Sequence, residues 1–271
     1  MNLSISPNER ITFKVRHADD GLLVVDRPAG VVTQPGKGHE SDTLLNGLFA
    51  RYGQQLQNLG KARDFGLLHR LDRQTSGLVL IALRTRAYDT LREAFAKRKV
   101  RKFYWAVTGR TPNKLAGVIR RPILEEEGDK KLARISSAGK PALTAYRVLQ
   151  TSTVGEGAAA LIECRPVTGR LHQVRVHLDS IGCPILGDDF YAPRSRVRVA
   201  PRLALHAHRL VFTHPASGET VDVHSPWPKD LTPFLRRLGI TRPDSDKRRH
   251  EVPGDPVGEE EAGIGEPPPA P

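Results

Sequence analysis

His69-Arg70-Leu71-Asp72-Arg73-Gln74-Thr75-Ser76-Gly77-Leu78 runs directly into the apolar stretch Leu78-Val79-Leu80-Ile81-Ala82. A short unbroken apolar run after a polar segment reads as a buried strand fed by a loop. The loop holds one carboxylate, Asp72, among Arg70, Arg73 and His69. Opposite charge nearby favours the carboxylate form, and such a group can act as nucleophile or base. A structural ion pair would use the same residues, because ion-pair networks also set acids beside arginines.

Outward from that loop, the chain reads as short strands with a few helices between them. Ile11-Thr12-Phe13-Lys14-Val15 alternates as a half-buried strand, and Leu22 to Val25 is a second strand closed by Pro28-Ala29-Gly30. Ser41 is placed to cap a short helix carrying Leu44, Leu45 and Leu48. Tyr88, Leu91 and Phe95 give another helix one apolar stripe. In a strand over Phe103 to Thr108, Tyr104 faces away from Phe103, Trp105 and Val107 and is free for a cleft. Further strands are expected at Leu143 to Leu149, Ala158 to Cys164, Leu203 to His206 and Leu210 to Thr213. A helix over 171–181 would bury Leu171, Val174, Leu178 and Ile181 and line up His172, Arg175 and Asp179 beside them. Leu124 to Ser137 reads as a surface loop, and Gln74, Thr75 and Ser76 as fixing the Asp72 loop through hydrogen bonds to backbone. This order argues for an α+β fold with a mostly antiparallel sheet, not a doubly wound βαβ fold. Residues 1–240 form one domain in this reading. The tail 241–271, rich in Pro, Gly and Glu, is expected to be disordered.

The 271 residues are 38% hydrophobic, enough for a proper core, and the formal charge is +12. The tail carries four Lys/Arg against eight Asp/Glu, which leaves 38 basic against 22 acidic side chains, or +16, on residues 1–240. A polyanionic partner explains that excess, since cations that neutralise phosphates release counterions. The run Lys97-Arg98-Lys99-Val100-Arg101-Lys102 is a candidate rim facing that polyanion. No stretch approaches the roughly 20 apolar residues of a membrane span, and Met1 to Arg10 lacks the apolar core of a secretory signal, so a cytoplasmic location and no membrane partner are expected. Cys164 and Cys183 form no CxxC pair and read as packing residues. His206-Ala207-His208, with His172 and His177, lacks the companions of a metal site, so no metal is expected. A phosphoryl-transfer reading lacks a GxxxxGK[ST] loop.

His69-Arg70-Leu71-Asp72-x-x-Thr75-Ser76-Gly77-Leu78 resembles the signature of the RluA-type pseudouridine synthases. Leu22 to Gly30, Lys102 to Val107, Gly169-Arg170-Leu171-His172-Gln173-Val174-Arg175-Val176-His177-Leu178, Gly182 to Asp188 and Leu205-His206-Ala207 extend the likeness in the family's order, over about residues 11–228. The resemblance implies a curved mixed sheet, mostly antiparallel with flanking helices, crossed by an active-site cleft. It implies that Asp72 is the nucleophile, attacking C1′ or C6 of a flipped-out uridine, that Tyr104 stacks on the target base, and that Arg175 pairs with the aspartate. A bidentate Arg175–Asp72 pair is expected from that. Arg70 corresponds to the arginine that fills the vacated place in the stack, and His69, Arg73, Thr75, Lys102, Arg170 and His172 are expected to touch RNA. The small N-terminal RNA-binding module of longer members is not expected, since about ten residues precede the first strand. An isomerisation has no net redox change, so no cofactor is implied; the partner is RNA, ribosomal or transfer, and the enzyme a monomer. A non-catalytic RNA-binding or ribosome-assembly factor on the same fold is the alternative.

Overall fold

In the computed structural model, residues 3–126, 128, 132–153, 158–197 and 199–243 are described. In chain order the elements are β1 (Lys14–Ala18), β2 (Leu22–Arg27), α1 (Leu44–Leu59), β3 (Ser76–Ala82), α2 (Thr85–Ala96), β4 (Arg101–Thr108), β5 (Ala116–Arg120), β6 (Ile123–Glu126), β7 (Leu132–Ile135), β8 (Leu143–Ser152), β9 (Ala159–Pro166), α3 (Gln173–Ser180), α4 (Arg194–Val197), β10 (Leu205–Thr213), β11 (Thr220–His224) and α5 (Thr232–Arg237). The main sheet runs β1-β2-β3-β10-β4-β9-β8-β5, with β11 paired to β10. All its ladders are antiparallel except β3 with β10. This is the expected α+β architecture.

β2 and β3 sit inside the sheet and are apolar on both sides, which is why their sequences do not alternate. Leu23, Val25, Val79 and Ile81 join a core that includes Leu44, Leu48 and Leu56 of α1. Leu22, Val24, Leu78 and Leu80 join a second with Ala87, Tyr88 and Leu91 of α2. Where β3 meets β10, Gly77 has φ 124° and pairs with Ala207, and a Cβ on Gly77 would strike the Ala207 backbone. Only glycine permits that approach, which sets the loop before β3 against the centre of the sheet.

Several local expectations are corrected. The first strand begins at Lys14, because an extra residue between Val15 and His17 bulges the edge and breaks the alternation read from Ile11; Val15 faces solvent and Arg16 turns to Asp26 at 2.7 Å. Thr43, not Ser41, caps α1, in a reciprocal capping box with Asn46, and the helix extends to Leu59. The two strands expected around His206 and Leu210 are one, β10, with a register shift between Ala207 and Arg209; Arg209 there pairs with Asp222 of β11. The stretch 124–137 contains most of the β6–β7 hairpin rather than a loop. The helix expected from 171 starts at Gln173, since His172 adopts φ 52°, ψ 22° and ends the preceding turn. Of the tail, 244–271 lies outside the described residues. Among the described residues no helix is long and apolar enough to cross a membrane.

Candidate active site

The Asp72 loop is held from behind by one buried guanidinium. Arg27, at the end of β2, is 0% exposed and donates to the carbonyls of Val31, Thr75, Asp72 (2.8 Å) and Arg73 (3.4 Å). Burial lowers its pKa to about 10, with the Asp72 charge opposing, so it stays a cation at neutral pH. Gly30 N–H donates to Arg73 O at 2.7 Å, Thr75 N–H to Asp72 O at 3.0 Å, and Thr33 Oγ1 to Leu71 O at 3.2 Å. With its backbone consumed by these bonds, the loop presents the Asp72 side chain forward.

That side chain, 26% exposed, lines a cleft of about 420 Å³. Tyr104 of β4, Arg175 of α3 and His172 face into it with Asp72. Arg175 Nη1 reaches Asp72 Oδ2 at 3.4 Å, but its Nε and Nη2 each donate to Asp188 at 2.8 Å. The bidentate partner is therefore Asp188 and not Asp72 as expected. The reason is geometric: Asp188 is buried beside α3, and its Oδ1 also accepts the N–H groups of Phe190 and Tyr191, so that carboxylate is fixed facing the fork. Burial works against the Arg175 charge, but the Asp188 hydrogen bonds and the charges of Asp188 and Asp72 outweigh it and raise its pKa. The guanidinium is further flanked by the rings of Phe190 and Tyr191, at 5.2 and 5.1 Å.

His172 Nε2 lies 3.9 Å from Asp72, and its Nδ1 meets Tyr191 Oη at 2.9 Å. Burial lowers its pKa, with Arg175 adding to the effect and Asp72 opposing it, so the ring is neutral at pH 7. Burial and the Asp72 charge raise the Tyr104 phenol well above its ordinary value, which keeps it protonated. Lys102 is enclosed in the cleft wall near the Phe95 ring, and burial lowers its ammonium to about 8. No carboxylate among the described residues pairs with it.

Of the residues expected to touch a ligand, Asp72, Tyr104, Arg175, Arg70, His69, Thr75, Lys102, Arg170 and His172 all line this cleft. His69 does so as a packed neutral ring: Nε2 accepts the Leu80 N–H at 3.0 Å, the ring lies against Phe95, and burial pushes its pKa to about 3. Arg73 is not in the cleft; its Nε donates to Gly30 O at 3.2 Å on the far side of the loop. Gln74 and Ser76 bond to side chains, Asp189 and His206, and not to backbone, while Thr75 Oγ1 is buried without a partner. Lys97 of the basic run pairs with Glu93. His206 is held by Ser76 and Ser225, and His208 stacks on Trp105 at 3.8 Å. Among the described residues no three His, Cys, Asp or Glu side chains are grouped to hold a metal ion.

Three contributors were not singled out from sequence. Arg27 stands as a charge at the end of an apolar strand, a usable signal. Asp188 closes the turn before Phe190 and Tyr191, accepting both their N–H groups, and that local role hides its pairing with Arg175. Gln173, whose Oε1 accepts from Thr168 Oγ1 (2.8 Å) and Arg170 N–H (3.0 Å) and whose Nε2 donates to Leu143 O (2.8 Å), ties the start of α3 to β8 and carries no signal of its own.

Residues 21–180 match the family model described as RNA pseudouridylate synthase. The chain is similar to a protein of Nitrosomonas europaea named ribosomal large subunit pseudouridine synthase D, with 38% identity over 238 residues covering 85% of this chain and 66% of the relative. It is also similar to an uncharacterized RNA pseudouridine synthase of Bacillus subtilis, with 34% identity covering 85% of this chain and 74% of that one. The chain thus spans about two thirds to three quarters of the length of these relatives. Among solved structures, human RNA pseudouridylate synthase domain containing 4 superposes with a TM-score of 0.62 at 28% identity, covering 85% of this chain and 94% of that one.

Proposed function

The chain belongs to the RNA pseudouridylate synthase family, and from that premise we propose that it isomerises specific uridines in RNA to pseudouridine, with Asp72 as the nucleophile. The observation that carries the proposal is the Asp72 carboxylate, open to a cleft, with its loop backbone locked by Arg27 and a single Arg175 contact at 3.4 Å. That one contact orients the carboxylate and leaves an oxygen free to attack.

A stacked uridine must leave the helix before its reacting atoms are reached, at a cost of a few kcal/mol. Arg70, exposed at the cleft mouth, has the planar cation suited to fill the vacated place. Asp72 then either bonds to C1′ and displaces N1, or adds to C6 before the N1–C1′ bond breaks; the base turns, C5 bonds to C1′, the bond to Asp72 breaks and returns the carboxylate, and the proton leaving C5 is matched by one gained at N1. Either route needs no redox partner. Tyr104 supplies a stacking face, worth about 1–3 kcal/mol per base, and a protonated hydroxyl. Lys102 and Arg170 in the same wall suit the flanking phosphates.

The name of the Nitrosomonas europaea relative favours large-subunit ribosomal RNA as substrate, and the basic body supports an RNA partner; the encounter is proposed to take place in the cytoplasm. In this proposal residues 1–240 are the catalytic unit and act as a monomer. Asp72→Asn is expected to bind RNA and form no pseudouridine when total RNA is incubated with it and modified uridines are mapped by carbodiimide-dependent reverse-transcription stops. Turnover by that variant would refute the assignment.

A further inference from the structure

Phe190 borders the cleft and is 43% exposed. Among the described residues the other large hydrophobic side chains left this open are Val15 and Leu115, so Phe190 is the exposed aromatic of the set. One ring separates it from the nucleophile. Phe190 stacks on His172, with centroids 5.7 Å and planes 19° apart, and His172 Nε2 lies 3.9 Å from Asp72. Arg175, which contacts Asp72, has its guanidinium 5.2 Å from the Phe190 ring centre.

The turn that carries the ring is tied down on several sides. Phe190 N–H donates to Asp188 Oδ1 at 3.0 Å, and Ala192 N–H donates to Asp188 O at 3.2 Å. Tyr191 Oη accepts the Ala133 N–H of β7 at 3.0 Å and meets His172 Nδ1 at 2.9 Å. Gln74 Nε2 donates to Asp189 Oδ2 at 2.6 Å, which joins the turn to the Asp72 loop. None of these bonds requires an aromatic side chain at 190, since they use backbone groups and the neighbouring residues. A phenyl ring held in this way has little freedom left to lose when a partner covers it, and its open surface is apolar area that binding would remove from water.

A strand that delivers a flipped uridine to Asp72 has to cross the cleft mouth, and a base that leaves the helix beside that uridine needs a new stacking surface. We infer that Phe190 is a stacking platform for the base next to the target uridine, an inference that rests on the proposed activity of the cleft. The Gln74–Asp189 bond fixes the offset between platform and nucleophile, so the two nucleotides are held in register. Every base has a π-face, so the platform selects strands whose neighbouring base is free to unstack, and not one letter at that position. A protein partner covering the ring is the competing occupant, and the test separates the two.

In the full chain carrying Phe190→Trp the added indole is the one exposed tryptophan, because Trp105 and Trp227 are 2% and 1% exposed. Its emission is expected to fall when total RNA is added and to hold when polyphosphate, which has the charge but no bases, is added. Emission unchanged by RNA, the result a protein partner would give, overturns the inference, and so does an equal loss with polyphosphate. On an RNA fragment carrying a uridine that the wild type modifies, Phe190→Ala and Phe190→Leu are each expected to lower kcat/KM about 5- to 150-fold, with the loss falling on KM. Phe190→Trp is expected to stay within about threefold of wild type. Leu keeps bulk against His172 without a π-face, so wild-type KM in Phe190→Leu means packing alone and overturns the inference. Removing the base on one side of the target is expected to cost the wild type the same factor and Phe190→Ala nothing more; factors that multiply on both sides also overturn it. Loss of emission with RNA but no turnover sinks the proposed activity and leaves Phe190 standing as a base-stacking contact, whereas turnover with KM unchanged in Phe190→Ala does the reverse.

Discussion

Replacing Asp188 by Asn tests whether the Arg175–Asp188 pair is the element on which the cleft is built. The two side chains are 2% and 1% exposed and joined by two bonds of 2.8 Å, so solvent screens neither charge. An exposed pair would be worth only about 0–1 kcal/mol. Removing one partner of a buried pair leaves the other charge uncompensated, at a cost of about 3–5 kcal/mol. Asn keeps the size and the oxygen that accepts from Phe190 and Tyr191, so the loss isolates the charge. For a chain of this size each kcal/mol moves Tm by about 2–4 °C, giving an expected fall of about 6–20 °C for Asp188→Asn. The stranded guanidinium then has only Asp72 to pair with, and tighter pairing would occupy the oxygen needed for attack. The double variant Asp188→Asn/Arg175→Met removes the stranded cation and is expected to recover at least half of the lost Tm while staying at least ~10²-fold down in turnover, because Asp72 loses its orienting contact. Calorimetry and the pseudouridine assay on the four proteins complete the cycle. A single variant within 2 °C of wild type, as an exposed pair would give (~0–1 kcal/mol), or a double no more stable than the single, would refute the reasoning.

Lys102, lowered to about 8 by burial, is a cation below that pH and neutral above it, so RNA affinity should fall as pH rises from 7 to 9 and stay flat in Lys102→Arg; a wild-type profile as flat as the variant's counts against it. By linkage, the buried ammonium costs stability below pH 8, and that cost disappears as pH rises toward the ordinary value of 10.5. Tyr104→Phe keeps the ring and deletes the hydroxyl, so RNA binding should hold within about threefold while turnover drops by about 10²-fold if the hydroxyl moves a proton; unchanged kcat would leave only stacking. Gly77→Ala would add about 1–3 kcal/mol of backbone strain at φ 124° and force its methyl to within 2.6 Å of Ala207 N, so a Tm drop of at least about 5 °C is expected; an unchanged Tm in calorimetry would show that the β3–β10 approach is looser than described.

The sequence determined the fold class and the residues that meet in the cleft. The doubly apolar β2 and β3 and the single stripe of α2 are local periodicities, legible without neighbours. Asp72, Tyr104, Arg175 and His172 were legible through the family resemblance of the motifs that carry them, and the cleft is where those motifs meet. Edge and pairing details were not, because a bulge such as that after Val15 depends on the partner strand, and the long β10 on β4 and β11 together. Who pairs with whom among charges was likewise decided only in three dimensions. Arg175 had two acids in reach, and the tertiary structure gave its fork to Asp188, buried and already fixed by two backbone N–H groups, leaving Asp72 a single bond. Arg27 lies 45 residues from Asp72, and its grip on that loop exists because β2 and β3 are neighbours in the sheet. Spacing along a chain encodes which face a residue occupies; the competition of one donor among several acceptors is settled by distance and desolvation, and those are properties of the packed molecule.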